Sequence, residues 1–212
     1  MQKTFKRAKA ADRTMTVIFY AVAGFFLLLL LAFVVYVLVQ GFRGFDISML
    51  SFTSKGIGNQ LFNTVYLVFL ALLISVPLGV AAGIYMAEYA KKNRLTKFLR
   101  ICIETLSSLP SIVVGLFGYL VFIVMTGAKW NLMAGALAVS ILSLPLITTV
   151  TEDALRALPS SYKEGSFGLG ATHWQTIVHV LLPACIPRII TGVILAAGRG
   201  FGEAAALLYT AG

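Results

Sequence analysis

Charged side chains are scarce in this chain. They make up 12% of its 212 residues, and only 8 are acidic, against roughly a quarter charged in a soluble domain. That excludes an ordinary water-facing surface. The 2 histidines and 2 cysteines have no metal-ligand spacing around them, which argues against a structural metal site. No Gly-x-x-x-x-Gly-Lys-Ser/Thr phosphate loop occurs anywhere, so nucleotide binding through that motif is not expected. No nucleophile–base arrangement points to covalent catalysis.

Long apolar runs stand where charge is missing. Residues 14–42, 56–87, 105–128 and 130–151 carry no charged side chain, and a fifth apolar segment, 184–209, holds Arg199 and Glu203 in its interior. A helix crosses the hydrocarbon core with about 20 apolar residues, so each run can supply one span. With 59% hydrophobic residues and mean hydropathy +0.91, the chain reads as an all-α polytopic transmembrane helix bundle. Buried helices of a soluble protein would keep a polar face every 3.6 residues, whereas residues 25–33 are apolar all round.

The net charge of +9 is explained by where the cations fall. Lys3, Lys6, Arg7, Lys9 and Arg13 precede the first run. Lys91, Lys92, Arg94, Lys97 and Arg100 follow the second, and Arg156, Lys163 and Arg188 lie in or near the segment between the fourth and fifth. With the N-terminus in the cytoplasm, only Arg43, Lys55 and Lys129 fall outside, which is the positive-inside asymmetry. No nucleic-acid partner is needed to account for it.

The expected order is a basic tail (1–14), a first span (15–40), an outer loop and a second span (61–86) kinked near Pro77. A surface amphipathic helix (87–104) follows, with Leu95, Phe98, Leu99 and Cys102 on one face. A third span (108–126) has Pro110 in its first turn. Trp130 lies in a short outer turn, before a fourth span (132–150), a polar loop (151–183) and a fifth span (184–209). The first run is too long for a signal-peptide core and lacks a small-residue cleavage site, so it is read as a retained anchor. Gly79, Ala82 and Gly83 allow close helix approach. Cys102 and Cys185, near the reducing cytoplasmic face, are read as small packing residues, and His173 and His179 as packing or surface groups. Ser107, Ser108 and Ser111 are expected to satisfy backbone groups near Pro110, with lining of a path as the alternative.

The loop before the fifth span reads as two short helices joined at a glycine. Ser160 or Ser161 can cap the first. Gly168 and Gly170 permit a left-handed turn. Thr172, with Gln175 three residues on, forms a capping box for the second, which runs to Pro183. The segment matches a specific pattern: Glu-Ala-Ala, three residues, Gly, nine residues, Ile, any residue, Leu-Pro. Glu164, Gly170, Val180, Leu182 and Pro183 are in register, and Gly165 and Ser166 replace the two alanines with other small residues. The loop thereby resembles the EAA loop of permeases of ATP-binding-cassette importers. The resemblance implies that residues 164–170 form a coupling helix that docks on a separate ATPase; an ordinary amphipathic surface helix is the alternative.

Three further stretches resemble the A-type (PstA) permeases of bacterial phosphate importers. They are Pro77-Leu78-Gly79 leading to Ile84-Tyr85-Met86-Ala87-Glu88-Tyr89, Leu109-Pro110-Ser111-Ile112-Val113-Val114-Gly115-Leu116-Phe117, and residues 199–208 with Arg199 and Glu203. The resemblance covers most of residues 45–212, with a permease domain of about 61–212. The resemblance implies a type I importer permease (MetI-like) fold in the cytoplasmic (inner) membrane, and transport by alternating access. It also implies a second, C-type (PstC) permease, two ATPase subunits that bind the ATP and Mg, and a periplasmic phosphate-binding protein. No cofactor is expected in this chain. The family has a further span after the arginine–glutamate segment, so the last helix is expected to be missing here. Molybdate, sulfate or an amino acid is the competing cargo. A proton-coupled transporter or intramembrane enzyme is disfavoured, because Glu203 is the one acidic residue well inside a span.

Arg199 and Glu203 are four residues apart, so they share one helix face. Charges within a span usually face the bundle interior or an aqueous path, and a guanidinium matches a phosphate oxyanion. The pair is read as part of a translocation pathway, with Glu203 positioning Arg199, or alternatively as a structural ion pair.

Overall fold

The computed structural model describes residues 2–44, 46, 50–52, 56–91 and 93–211. Lys55 and Lys92 of the charge pattern lie outside the described residues, as do the side chains of Lys3, Lys6 and Arg7. The described residues contain helices and no strand, and the chain divides into two units, residues 1–59 and 60–212.

In the first unit, α1 (Gln2–Gly44) is one uninterrupted helix of 43 residues, rising about 65 Å. The basic stretch expected as a separate tail is therefore part of this helix, because its Lys, Arg and Ala residues are strong helix formers.

The second unit is built from α2 (Gly58–Ile84), extended by a wide π-type turn at Tyr85–Tyr89, and α3 (Arg94–Ser108). Next come α4 (Ser111–Tyr119), extended likewise to Val124, and α5 (Leu132–Arg156). The chain ends with α6 (Ser161–Gly168), α7 (His173–Thr176, running on through Leu181), α8 (Leu182–Phe201) and α9 (Ala205–Thr210). Among the described residues, four helices are long and apolar enough to cross a membrane: Ala11–Gly44, Gly58–Tyr89, Leu132–Arg156 and His173–Phe201. Together α3 and α4 make a further candidate, bent by 101°.

The bend has a local cause. Leu109 precedes proline, which disfavours the helical region for it, and it is extended at φ −66°, ψ 134°. Pro110 is accordingly the residue before α4, not part of its first turn. The amphipathic helix starts later than expected, at Arg94. Residues 85–89 complete α2 instead, and Asn93 caps α3 by accepting the Thr96 N–H at 2.8 Å. Ser108 donates to the Thr105 carbonyl at 2.8 Å.

The core centres on α5, which packs against α3, α4, α8 and α9. It also packs against α2, through small residues. A methyl group added at Gly79 would lie 2.8 Å from Ile147 Cβ, and one at Gly83 would lie 2.5 Å from Thr151 Cβ. Small residues provide the close approach that helix association in lipid relies on. Cys185 is buried with Ala154, Leu155, Ile177, Leu181 and Ile189, a packing role.

Candidate functional site

Local sequence fixes the shape of the α6–α7 loop. The end of α6 is closed by a Schellman turn. The Gly170 N–H donates to the Phe167 carbonyl (2.9 Å) and the Ala171 N–H to the Ser166 carbonyl (3.2 Å). Gly170 has φ +83°, a conformation that costs glycine nothing. Gly168 remains within α6, so Gly170 alone makes the left-handed step. The capping box forms as expected: Gln175 N–H donates to Thr172 Oγ1, and Thr172 N–H to Gln175 Oε1. Ser160 stands at the start of α6 without a side-chain cap bond, because it is helical (φ −58°, ψ −26°) where a capping residue is extended.

The two departures from the Glu-Ala-Ala pattern differ in kind. A methyl group added at Gly165 would meet no other atom within 4 Å. Ser166 is buried, and its hydroxyl lies 2.9 Å from Thr176 Oγ1. Thr176 already donates to the Thr172 carbonyl at 3.0 Å, so Ser166 is the donor of the pair. Glu164 is exposed, Val180 and Leu182 are half-buried, and Pro183 is exposed. Tyr162, Phe167, Leu169 and Trp174 also present apolar surface, with Leu169 92% exposed.

Sequence reasoning missed what holds this loop to the bundle. Glu88, in the last turn of the α2 rod, has a side chain only 4% exposed and pairs with Lys163 Nζ of α6 at 2.8 Å. His173 Nε2 lies 3.5 Å from the other carboxylate oxygen, and its ring meets Tyr89 edge-on at 4.9 Å. A second buried carboxylate, Glu152 of α5, accepts from Arg100 at 2.6 Å and pairs with Arg156 at 2.8 Å through the same oxygen. Arg156 also donates to the Met86 carbonyl at 3.1 Å. Two carboxylates thus tie α2, α3, α5, α6 and α7 together at one end of the bundle. Glu88 stands in the motif Ile84–Tyr89 as a signal, but its partners are distant in sequence and no local pattern names them.

The arginine–glutamate segment departs from expectation. The helix stops at Phe201, where the Gly202 N–H turns back to the carbonyls of Gly198 and Arg199. Glu203 therefore lies outside α8 and does not share a helix face with Arg199. It accepts the Ala206 N–H at 3.1 Å, satisfying a free donor at the start of α9. Among the described residues, Arg199 is exposed and has no hydrogen-bond or ion-pair partner. In turn, α9 packs on α4 at Gly115, where an added methyl would lie 2.8 Å from Ala206 Cα.

Residues 79–212 match the family described as binding-protein-dependent transport system inner membrane component. The chain belongs to that family. The matched residues of this inner membrane component include both buried carboxylates, the α6–α7 loop and the Arg199–Glu203 segment. Over 210 residues the chain is 46% identical to a probable ABC transporter permease protein, YqgI, of Bacillus subtilis (strain 168), covering 96% of this chain and 71% of the relative. It is 37% identical to the phosphate transport system permease protein PstA of Xylella fastidiosa (strain 9a5c), covering 74% of this chain and 54% of that one. It thus spans about half the length of that phosphate permease. Among solved structures, the MetNI methionine ABC transporter in an inward-facing conformation matches with TM-score 0.60 at 23% identity, covering 74% of each chain. The fold is that of a MetI-type importer permease.

Proposed function

We propose that this inner membrane component is a phosphate-translocating permease subunit of an ATP-driven importer, and that the α6–α7 loop is its coupling lever. The observation that carries the reading is the buried Glu88 carboxylate, which bolts α6 to the end of α2 through Lys163 and has the His173 ring of α7 beside it at 3.5 Å. A lever transmits rigid-body motion only if it cannot slide on the helix it moves. Glu164, Gly165, Ser166, Gly170, Val180, Leu182 and Pro183 form the ATPase-facing element and its support. ATP and Mg are bound, and the ATP is hydrolysed, in two partner ATPase subunits. The N-terminus and the α6–α7 loop face the cytoplasm, where the cations concentrate. A second C-type permease and a periplasmic binding protein complete the transporter. Phosphate as cargo rests on similarity to the PstA permeases.

In this reading Arg199 is the anion contact on the translocation path. With no partner among the described residues, its guanidinium is free for an oxyanion. Glu203 shapes the path by holding α9 rather than by neutralising the arginine.

The test is phosphate uptake by cells carrying the full-length permease. Arg199→Ala is expected to lower uptake roughly tenfold or more, the worth of a charge-assisted hydrogen bond, while the transporter still assembles. Normal uptake would remove the pathway role. Glu164→Ala is expected to weaken co-purification of the ATPase, and full retention of both ATPase and uptake would remove that side chain from docking.

A further inference from the structure

A cavity of about 410 Å³ lies where α2, α3 and α5 meet, lined by Lys91, Asn93, Thr96, Lys97, Arg100 and Arg156 among others. None of its lining side chains is acidic. Arg100 and Arg156 share one oxygen of the buried Glu152, so a single carboxylate holds two guanidinium groups side by side and neutralises only one. Lys91 and Lys97 have no ion-pair partner among the described residues. Four cations face one concavity with a large uncompensated positive charge, and each arginine keeps further N–H donors free.

Beside the cavity, α3 exposes Leu95, Phe98 and Ile101 and stands at 101° to α4. If α4 crosses the bilayer, α3 lies along its surface with its apolar residues toward the acyl region, as interfacial helices do. The cavity then opens at headgroup depth.

We infer that this cavity binds a phosphate-bearing anion. An acidic phospholipid headgroup and free inorganic phosphate share that chemistry, and the position of α3 favours the headgroup. The site is separate from Arg199 and independent of which cargo the transporter carries. Basic pockets between helices at a membrane face recognise such headgroups, and each Lys or Arg near an anionic surface is worth about fivefold in affinity.

The experiment uses the full-length permease, purified with its partner subunits in an uncharged detergent. A fluorescent short-chain phosphatidylglycerol is titrated by anisotropy, with phosphatidylcholine as the zwitterionic control and inorganic phosphate as a second arm. Lys91→Gln/Lys97→Gln is expected to weaken binding about thirtyfold, and Lys97→Arg to preserve it. Preference for phosphatidylglycerol, lost in the double variant, supports the headgroup. Displacement of the probe by millimolar phosphate, or direct phosphate binding lost in the same variant, assigns the site to the free ion. Absence of binding in both arms, or binding indifferent to the double variant, overturns the inference. If the double variant does not co-purify with its partners, Lys97→Gln alone and the salt dependence of the parent give the reading. A charge-built site weakens with salt, and salt-independent binding counts against it.

Discussion

Replacing Lys163 with methionine keeps the aliphatic stem and removes the charge that faces Glu88. The Glu88 side chain is 4% exposed and the Lys163 side chain 37%, so one partner is buried and the other reaches water. Breaking a fully buried pair costs about 3–5 kcal/mol, and an exposed pair is worth under about 1 kcal/mol. With His173 3.5 Å away as a second partner, the loss should fall near ~2 kcal/mol, between those limits. Amides of α6 that exchange by local opening of the loop should then exchange about thirtyfold faster. Hydrogen exchange read by mass spectrometry on α6 peptides measures this directly. In Glu88→Gln/Lys163→Met no buried charge is left unpaired, so exchange should return to within a few-fold of the parent. The double-mutant cycle should give a coupling of about 1–2 kcal/mol. Exchange in Lys163→Met within about threefold of the parent, or single effects that simply add, would refute the claim that this pair anchors the loop.

Gly115→Val should displace α9 and lower the melting temperature of the detergent-solubilised protein, because the new side chain would meet the Ala206 backbone. Gly165→Ala, in open space, should instead be neutral or stabilise α6 by up to about 1 kcal/mol. Ser166→Ala should cost only about 1 kcal/mol in thermal unfolding, since Thr176 keeps its bond to the Thr172 carbonyl. Arg156→Met should be more damaging than Arg100→Met by the same assay, because it removes contacts to both Glu152 and the Met86 carbonyl.

What can be read from sequence is local. The capping box at Thr172 and Gln175 and the left-handed glycine at 170 each depend on a few neighbouring residues, and both are present. Gly79 and Gly83, picked out by size alone, do sit at close helix contacts. The misplacements come from reading apolar runs as uniform helices. Hydropathy is blind to the turn at Gly202, so it puts Arg199 and Glu203 on one helix face where a break in the helix separates them. It also sets the third span's start at 108, whereas the surface helix runs on to Ser108 and the break falls at the extended Leu109. The carboxylate anchors are out of reach for a different reason. Glu88 meets Lys163, and Glu152 meets Arg100, across long stretches of chain, and a single sequence carries no signal for such pairings.

The elbow at Leu109 and Pro110 has a consequence for how much hydrocarbon this part of the molecule can fill. From Ser111 to Val124 the helix rises about 21 Å, short of a core about 30 Å deep. The backbone also leaves the helical ladder around Gly202, between α8 and α9, and wherever such a break lies within hydrocarbon it persists only with protein or water, not lipid, around it. Any part of the α4–α9 corner that lies in the hydrocarbon must then be shielded from acyl chains by protein or by water.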